Sequence, residues 1–179
     1  MKEFKKEFIN LYAGRPGAGK THWAIKEIEA RLEDPHAVVF YVCNPKSSQE
    51  IAQRMRGLPG KLFLTSDEHA GQVIGCAIDM ANQDDARFAE NDESMAAQNE
   101  RIQVSVFYDQ CRHFMFRGYR DILVAAAKAG VSVNILCQVF RQVDKDDLSW
   151  LAENCICSII SKGRAPRIAS KEEMENIYR

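Results

Sequence analysis

The chain has 179 residues, of which 46% are hydrophobic and 27% charged, with a formal net charge of −1. These values predict a single domain spanning residues 1–179, and they exclude a strong overall attraction to nucleic acid or to anionic membranes. No apolar segment approaches 18 residues and the charged N-terminus lacks a signal-peptide core, so we expect a cytoplasmic protein without a membrane span. The six cysteines lie mostly in apolar runs, which favours reduced, buried thiols.

The first predicted strand, residues 8–13, leads into a complete G-x-x-x-x-G-K-[ST] motif, and a helix with regularly spaced apolar residues follows to Leu32. Glycines in such a loop let backbone N–H groups surround an anion, and the positive end of the helix dipole adds to the attraction. The motif therefore predicts nucleotide binding, with Lys20 on the β- and γ-phosphates and the Thr21 hydroxyl on Mg²⁺. A Gly-rich turn that matches by chance is the alternative. The predicted phosphate-binding residues are Gly14, Arg15, Pro16, Gly17, Ala18, Gly19, Lys20 and Thr21.

The middle of the chain alternates predicted strands and helices. Residues 37–42 form a continuous apolar run, typical of a parallel strand covered on both faces. A short helix at 49–56, a short strand at 61–65 and a helix from Ser66 to about Met80 are predicted next. Residues 82–103 are polar and acidic, which predicts a solvated helix-and-loop insertion, with a segment that contacts a partner as the alternative.

An apolar run at 104–108 ends in Asp109 and is predicted to be a strand. In P-loop proteins an Asp at this position binds the Mg²⁺ shell opposite the loop hydroxyl, so Thr21 and Asp109 are the predicted metal residues. Gln110 follows, where many ATP-hydrolysing proteins of this kind place a Glu that activates water. A neutral amide can orient a water molecule but cannot accept its proton, so we expect hydrolysis that is slow, that uses another base or that is absent.

The remaining elements complete a predicted α/β fold. A helix at 119–129, a strand at 131–137 that ends in Gln138, a short helix at 144–150 and a last strand at 156–161 follow in order. We expect a three-layer P-loop NTPase fold with a mostly parallel five-stranded sheet of order 5-1-4-3-2 and helices on both faces. Residues 14–21, Asp109 and Gln138 should then meet at the carboxyl edge of the sheet.

Between Tyr108 and Arg164 the chain has a strand ending in Asp, a helix rich in Arg, the phrase Ala-Gly-Val-Ser-Val-Asn-Ile-Leu-Cys-Gln and a final strand. This order resembles the HerA/FtsK group of DNA-translocating ATPases, which includes genome-packaging ATPases of membrane-containing viruses and Zot-like assembly ATPases of filamentous phages. Asn44-Pro45-Lys46 is similar to the D-P-K phrase often found there. The resemblance implies ATP-driven movement of double-stranded DNA by a homo-oligomeric ring, in the host cytoplasm if the chain is viral. It also implies that Gln138 senses the γ-phosphate and that an Arg from a neighbouring subunit completes the site.

Several arginines are candidates for the site because cleavage of a γ-phosphate often needs one. Arg141 and Arg164 rank first, since they fall near the predicted carboxyl edge or at a ring interface, and a solvated surface Arg is the alternative for each. The other candidates are Arg112, Arg117, Arg120 and Arg167. His22 and His113 are interpreted as structural, and Trp23 and Trp150 as packing residues. The predicted catalytic residues are Lys20, Asp109, Gln110, Gln138 and Arg141.

Two alternatives remain beside the motor. Residues 108–114 are similar to the D-E-x-Q-F segment of the thymidine kinase family, but Gln110 replaces its catalytic Glu, Arg112 replaces its Gln, and the paired C-x-x-C zinc ligands have no counterpart. A nucleotide-binding regulatory module with little turnover is the other alternative, and Gln110 motivates it. The sequence therefore predicts an ATP-binding and ATP-hydrolysing motor of the DNA-packaging or translocase type, with Mg²⁺, and a nucleoside kinase or regulatory module as alternatives.

Overall fold

The computed structural model describes residues 4–43, 45–65, 70–90, 101–109, 116–138 and 145–176. Its strands are β1 (Ile9–Ala13), β2 (Ala37–Val42), β3 (Lys61–Thr65), β4 (Gln103–Tyr108), β5 (Ser132–Cys137), β6 (Ile156–Ile159) and β7 (Arg167–Ile168). Its helices are α1 (Lys20–Leu32), α2 (Pro45–Arg54), α3 (Ala70–Glu90), α4 (Phe116–Ala129), α5 (Lys145–Asn154) and α6 (Lys171–Asn176).

The strands form one seven-stranded sheet in the order β3-β2-β4-β5-β1-β6-β7. All neighbouring pairs are parallel except β6 and β7, which are antiparallel. The last residue of β1, Ala13, lies opposite Cys137 of β5 and Ile159 of β6. Because parallel strands end at the same edge, the segments that leave β1, β4 and β5 begin side by side.

The mostly parallel α/β fold is confirmed, but the predicted five-stranded sheet of order 5-1-4-3-2 is wrong as a description of the whole sheet. Two edge strands account for the difference: β3 extends the sheet beyond β2, and β7 extends it beyond β6. The inner five strands, numbered among themselves in chain order, do run 5-1-4-3-2. With only two residues, both exposed, β7 lacks the apolar pattern by which a strand can be predicted.

Helices cover both faces of the sheet and enclose two hydrophobic clusters. On one face α1 contributes Ala24, Ile28 and Leu32, α2 contributes Ile51, and Met55 follows directly after α2. On the other face α3, α4, α5 and α6 contribute Val73, Ile74, Ala77, Leu123, Ala126, Ala127, Leu151 and Met174. All six residues of β2 are buried, as expected for a strand covered on both faces. Within the described residues, no helix has the length and apolar character needed to cross a membrane.

The acidic segment predicted at 82–103 begins as part of a helix. Helix α3 continues past Met80, where it was predicted to end, and reaches Glu90. Its second half is tied to the chain entering β4, because the Ile102 N–H donates to Asp84 (3.0 Å) and the Arg101 guanidinium bonds Asp85 (3.3 Å). Residues 91–100 lie outside the described residues, so the rest of that prediction is untested.

Replacing Ile28 tests how α1 packs against the sheet. Its side chain is fully buried in the cluster beneath α1. We expect Ile28→Ala to lower the free energy of unfolding by about 2–5 kcal/mol, because it removes buried methyl groups and leaves a cavity. The exposed Lys26 of the same helix provides the control: Lys26→Ala should change stability by less than about 0.5 kcal/mol. Urea unfolding measures both, and equal stabilities would mean that α1 does not pack as described.

Candidate functional site

The segment between β1 and α1 has the backbone conformation of an anion-binding loop. Gly17 and Gly19 have left-handed φ angles of 77° and 90°, which side chains disfavour. The Ala18 N–H donates to the Arg15 carbonyl (3.0 Å) and closes a turn. Left-handed residues in such turns point successive N–H groups into one concavity. Helix α1 starts directly afterwards at Lys20, and its first N–H groups have no partner within the helix. The loop is therefore suited to a negatively charged group.

Both neighbouring strands hold the start of this loop in place. The Gly14 N–H donates to the Cys137 carbonyl of β5 (3.3 Å), and the Ile160 N–H after β6 donates to the Ala13 carbonyl (2.8 Å). A Cβ at Gly14 would lie 2.7 Å from the Ile160 carbonyl oxygen, so this close approach needs glycine.

Trp23, predicted to be a packing residue, joins α1 to β1. The centroids of the Trp23 and Tyr12 rings are 4.1 Å apart.

Lys20 lies across the loop. Its ammonium group donates to the carbonyl oxygens of Gly14 (2.7 Å) and Arg15 (3.2 Å), both of which are neutral acceptors. Partial burial lowers the pKa of Lys20, and the negative charge of Asp109 acts in the opposite direction. The positive charge of Lys20 is thus held over the loop by neutral partners, which a negatively charged group could replace.

Asp109 directly follows β4 and only 6% of it is exposed. Its backbone N–H donates to the Val42 carbonyl (3.0 Å), and its Oδ2 accepts a hydrogen bond from the Tyr41 hydroxyl (3.0 Å). Burial raises the pKa of Tyr41 far above its usual range, and the charge and hydrogen bond of Asp109 raise it further, so this hydroxyl stays a donor. Burial and the Asp109 charge also raise the pKa of the Cys43 thiol. Asp109 thus lies in a compact site with β2 on one side and Lys20 within electrostatic range.

Thr21 and Gln138 lie on the same edge of the sheet. Thr21 is the second residue of α1 and is half-buried. Gln138, also half-buried, comes one residue after Cys137, whose carbonyl accepts the Gly14 N–H. The structure therefore brings residues 14–21, Asp109 and Gln138 together at the carboxyl ends of β1, β4 and β5.

The structure describes only some of the other predicted site residues. The residues Gln110, Arg112, His113 and Arg141 lie outside the described part of the chain, as does the side chain of Arg117. Arg120 lies over the ring of Trp150, 5.6 Å from its centroid, and Arg167 makes two hydrogen bonds to Glu173 (2.8 and 2.5 Å). Arg164 is exposed in the turn after β6, and His22 is exposed on α1. Of the arginines whose side chains are described, Arg164 remains the one with a predicted role at a subunit interface.

Sequence reasoning missed Tyr41. It appeared only as part of an apolar run, yet its hydroxyl bonds a carboxylate 68 positions later in the chain. A usable signal was present, because a buried tyrosine hydroxyl normally needs a hydrogen-bond partner and a fully covered strand offers few. The identity of that partner could not be predicted without the pairing of β2 with β4.

The cysteines in the described residues are free thiols. Cys43, Cys137, Cys155 and Cys157 are buried, as predicted for the group, whereas Cys76 is exposed on α3. Cys137 lies under the loop, where burial raises its pKa to about 12 and the Lys20 charge opposes that shift. At neutral pH it therefore remains an uncharged packing residue rather than a nucleophile.

The Thr21 hydroxyl and the Asp109 carboxylate are hard oxygen donors, the kind that Mg²⁺ prefers. Among the described residues, no group of three or more His, Cys, Asp or Glu side chains could hold a metal alone. Mg²⁺ commonly binds through one or two protein oxygens together with substrate phosphates and water. The donor set at this edge therefore fits Mg²⁺ bound along with a polyphosphate.

No protein-family model matches the sequence and no curated protein matches it. Among solved structures, the cytoplasmic domain of EssC is similar, with a TM-score of 0.52 and 15% sequence identity. The alignment covers 96% of this chain and 45% of that one, so the chain spans less than half of the EssC structure. The likeness supports a P-loop-like α/β fold. At this identity the likeness concerns the fold, and membership of the HerA/FtsK group stays a prediction.

Gly14 offers a test of the loop geometry. We expect Gly14→Ala to lower the free energy of unfolding by about 1–3 kcal/mol, because the new methyl group would press on the Ile160 carbonyl. Gly118 on α4 is the matched control, since a Cβ there meets nothing within 4 Å. Gly118→Ala should be neutral or raise stability by up to about 1 kcal/mol. If the two variants unfold at the same urea concentration, the contact between the loop and β6 is wrong.

Proposed function

We propose that this chain binds ATP with Mg²⁺ in the loop between β1 and α1 and hydrolyses it as a motor of the DNA-packaging or translocase type. One observation carries the proposal. The glycine-rich loop between β1 and α1 and the Lys20 ammonium group lie at the same sheet edge as the buried carboxylate of Asp109. A loop that binds phosphates through N–H groups and a lysine, next to an acidic metal ligand, is the arrangement that ATP·Mg²⁺ requires.

Binding exchanges the neutral partners of Lys20 for negatively charged ones. Lys20 donates to two neutral carbonyl oxygens, and on binding of ATP it turns to the β- and γ-phosphates. In the bonds to the carbonyl oxygens only the ammonium group is charged, whereas a hydrogen bond to a phosphate oxygen joins two opposite charges, whose Coulomb attraction adds to it. The exchange therefore favours the bound state, and the N–H groups of the loop and of the first turn of α1 add to it.

In the hydrolysis step we assign roles to four residues. Thr21 and Asp109 hold Mg²⁺, which when bound neutralises charge on the β- and γ-phosphates. Gln138 contacts the γ-phosphate and Gln110 orients the attacking water. A bond forms between the water oxygen and the γ-phosphorus while the bond to the β–γ bridging oxygen breaks, giving ADP and phosphate. One proton of the water stays on the phosphate and the other is released to solvent. Because an amide cannot take the proton of the water, we expect slow turnover without a partner.

The motor part of the proposal has two supports, the motif order that resembles the HerA/FtsK group and the fold shared with the cytoplasmic domain of EssC. On this proposal copies of the chain form a ring, and one copy supplies an arginine, Arg141 or Arg164, to the site of its neighbour. With a net charge of −1, contact with DNA would depend on a local basic surface and would weaken steeply with salt.

Replacing Lys20 tests the nucleotide site. We expect Lys20→Ala to weaken binding of a non-hydrolysable ATP analogue about 10- to 100-fold, because it removes charge-assisted hydrogen bonds to the phosphates. Lys26, exposed on the same helix, provides the control, and Lys26→Ala should bind like the unmodified chain. Isothermal titration calorimetry measures both affinities. Unchanged affinity in Lys20→Ala would show that the nucleotide binds elsewhere or not at all.

Phosphate release separates the motor from its alternatives. We expect double-stranded DNA to stimulate release from ATP, and the stimulation to disappear as salt is raised, because phosphate contacts are electrostatic. Formation of thymidine monophosphate when thymidine is added would instead identify a nucleoside kinase. Tight ATP binding without release under either condition would identify a regulatory module and contradict the motor.

A further inference from the structure

The hydrogen bond between Tyr41 and Asp109 joins two strands at the candidate metal site. Tyr41 is fully buried on β2, in a cluster that includes Val39, Phe107 and Leu136. Its ring is thus held by apolar neighbours while its hydroxyl reaches Asp109 Oδ2 at 3.0 Å. The Asp109 backbone is fixed as well, by its hydrogen bond to the Val42 carbonyl of the same strand. The Tyr41 hydroxyl is therefore a rigidly held donor, and the backbone of Asp109, which carries the accepting carboxylate, is also fixed.

We propose that Tyr41 is a positioning residue for Mg²⁺: its hydroxyl holds the Asp109 carboxylate in the orientation that binds the metal together with the nucleotide. This inference rests on the proposed ATP·Mg²⁺ site. It assigns Tyr41 no contact with the nucleotide and no part in proton transfer. Tyr41 acts only through Asp109.

Two opposing effects decide whether loss of the Tyr41 hydroxyl weakens or strengthens Mg²⁺ binding. A donated hydrogen bond draws charge from the carboxylate, which weakens its attraction for a cation, but it also fixes the carboxylate in one orientation, which strengthens binding. Removing a hydrogen-bond partner of a metal ligand typically lowers metal affinity about 10- to 100-fold, so the effect of orientation is the larger one. We therefore expect loss of the hydroxyl to weaken Mg²⁺ binding.

The test compares nucleotide affinity with and without the metal. A non-hydrolysable ATP analogue is titrated into the unmodified chain and into Tyr41→Phe, once in excess Mg²⁺ and once in EDTA. We expect unchanged affinity in EDTA and a loss of about tenfold or more in the enhancement by Mg²⁺. Tyr12→Phe is the control, because Tyr12 is a half-buried tyrosine that packs on Trp23 on the same face of the sheet. Electron paramagnetic resonance of Mn²⁺ bound with the nucleotide gives a second readout that does not depend on turnover.

A purely structural hydrogen bond would give another result. Tyr41→Phe would then lower the thermal unfolding temperature but keep the full enhancement by Mg²⁺, and this outcome overturns the inference. Failure of the proposed function looks different, since the unmodified chain itself would show no nucleotide binding or no enhancement by Mg²⁺.

A double-mutant cycle identifies the route through which Tyr41 acts. If Tyr41 works only through the carboxylate, adding Tyr41→Phe to Asp109→Asn should cause no further loss of the Mg²⁺ enhancement. A further loss in the double variant would mean that Tyr41 affects the metal by another route, which also overturns the inference.

Discussion

The site depends on hydrogen bonds that hold the end of β1 from both sides. The Gly14 N–H bonds the Cys137 carbonyl on one side, and the Ala13 carbonyl accepts the Ile160 N–H on the other. These partners come from far later in the chain, so a short local motif is presented by a scaffold that only the complete sheet provides. Because the inner strands are parallel, the same scaffold places Asp109 and Gln138 beside the loop.

The sequence was most informative where the chemistry is local. The loop at 14–21 could be predicted because its glycines, lysine and hydroxyl lie next to one another, and the helix after it has apolar residues at helical spacing. Strand β2 was equally clear, since burial on both faces requires a continuous apolar run. The far end of α3 was missed because polar and acidic residues replace its apolar side after Met80. Strand β7 was missed because it depends on pairing with β6 rather than on its own two residues.

The contact that was hardest to predict is also the one with a functional consequence. Tyr41 and Asp109 meet only because β2 lies next to β4, although β3 and α3 lie between them in the sequence. A buried tyrosine hydroxyl and a buried carboxylate satisfy each other there, and each would be costly to bury alone. Lys20 shows the complementary situation, since its neutral partners are weaker than the phosphates that would replace them. The acidic residue of the site, Asp109, is thus held in place, whereas Lys20 can exchange its hydrogen-bond partners.

Hydrogen–deuterium exchange with and without ATP·Mg²⁺ tests the central claim most directly, because it reports which backbone amides the ligand covers. The account predicts that addition of a non-hydrolysable ATP analogue with Mg²⁺ slows exchange in residues 14–22 and around residue 109. It also predicts little change at β3 and β7, which form the two edges of the sheet. Protection at either sheet edge with none in the loop would contradict it.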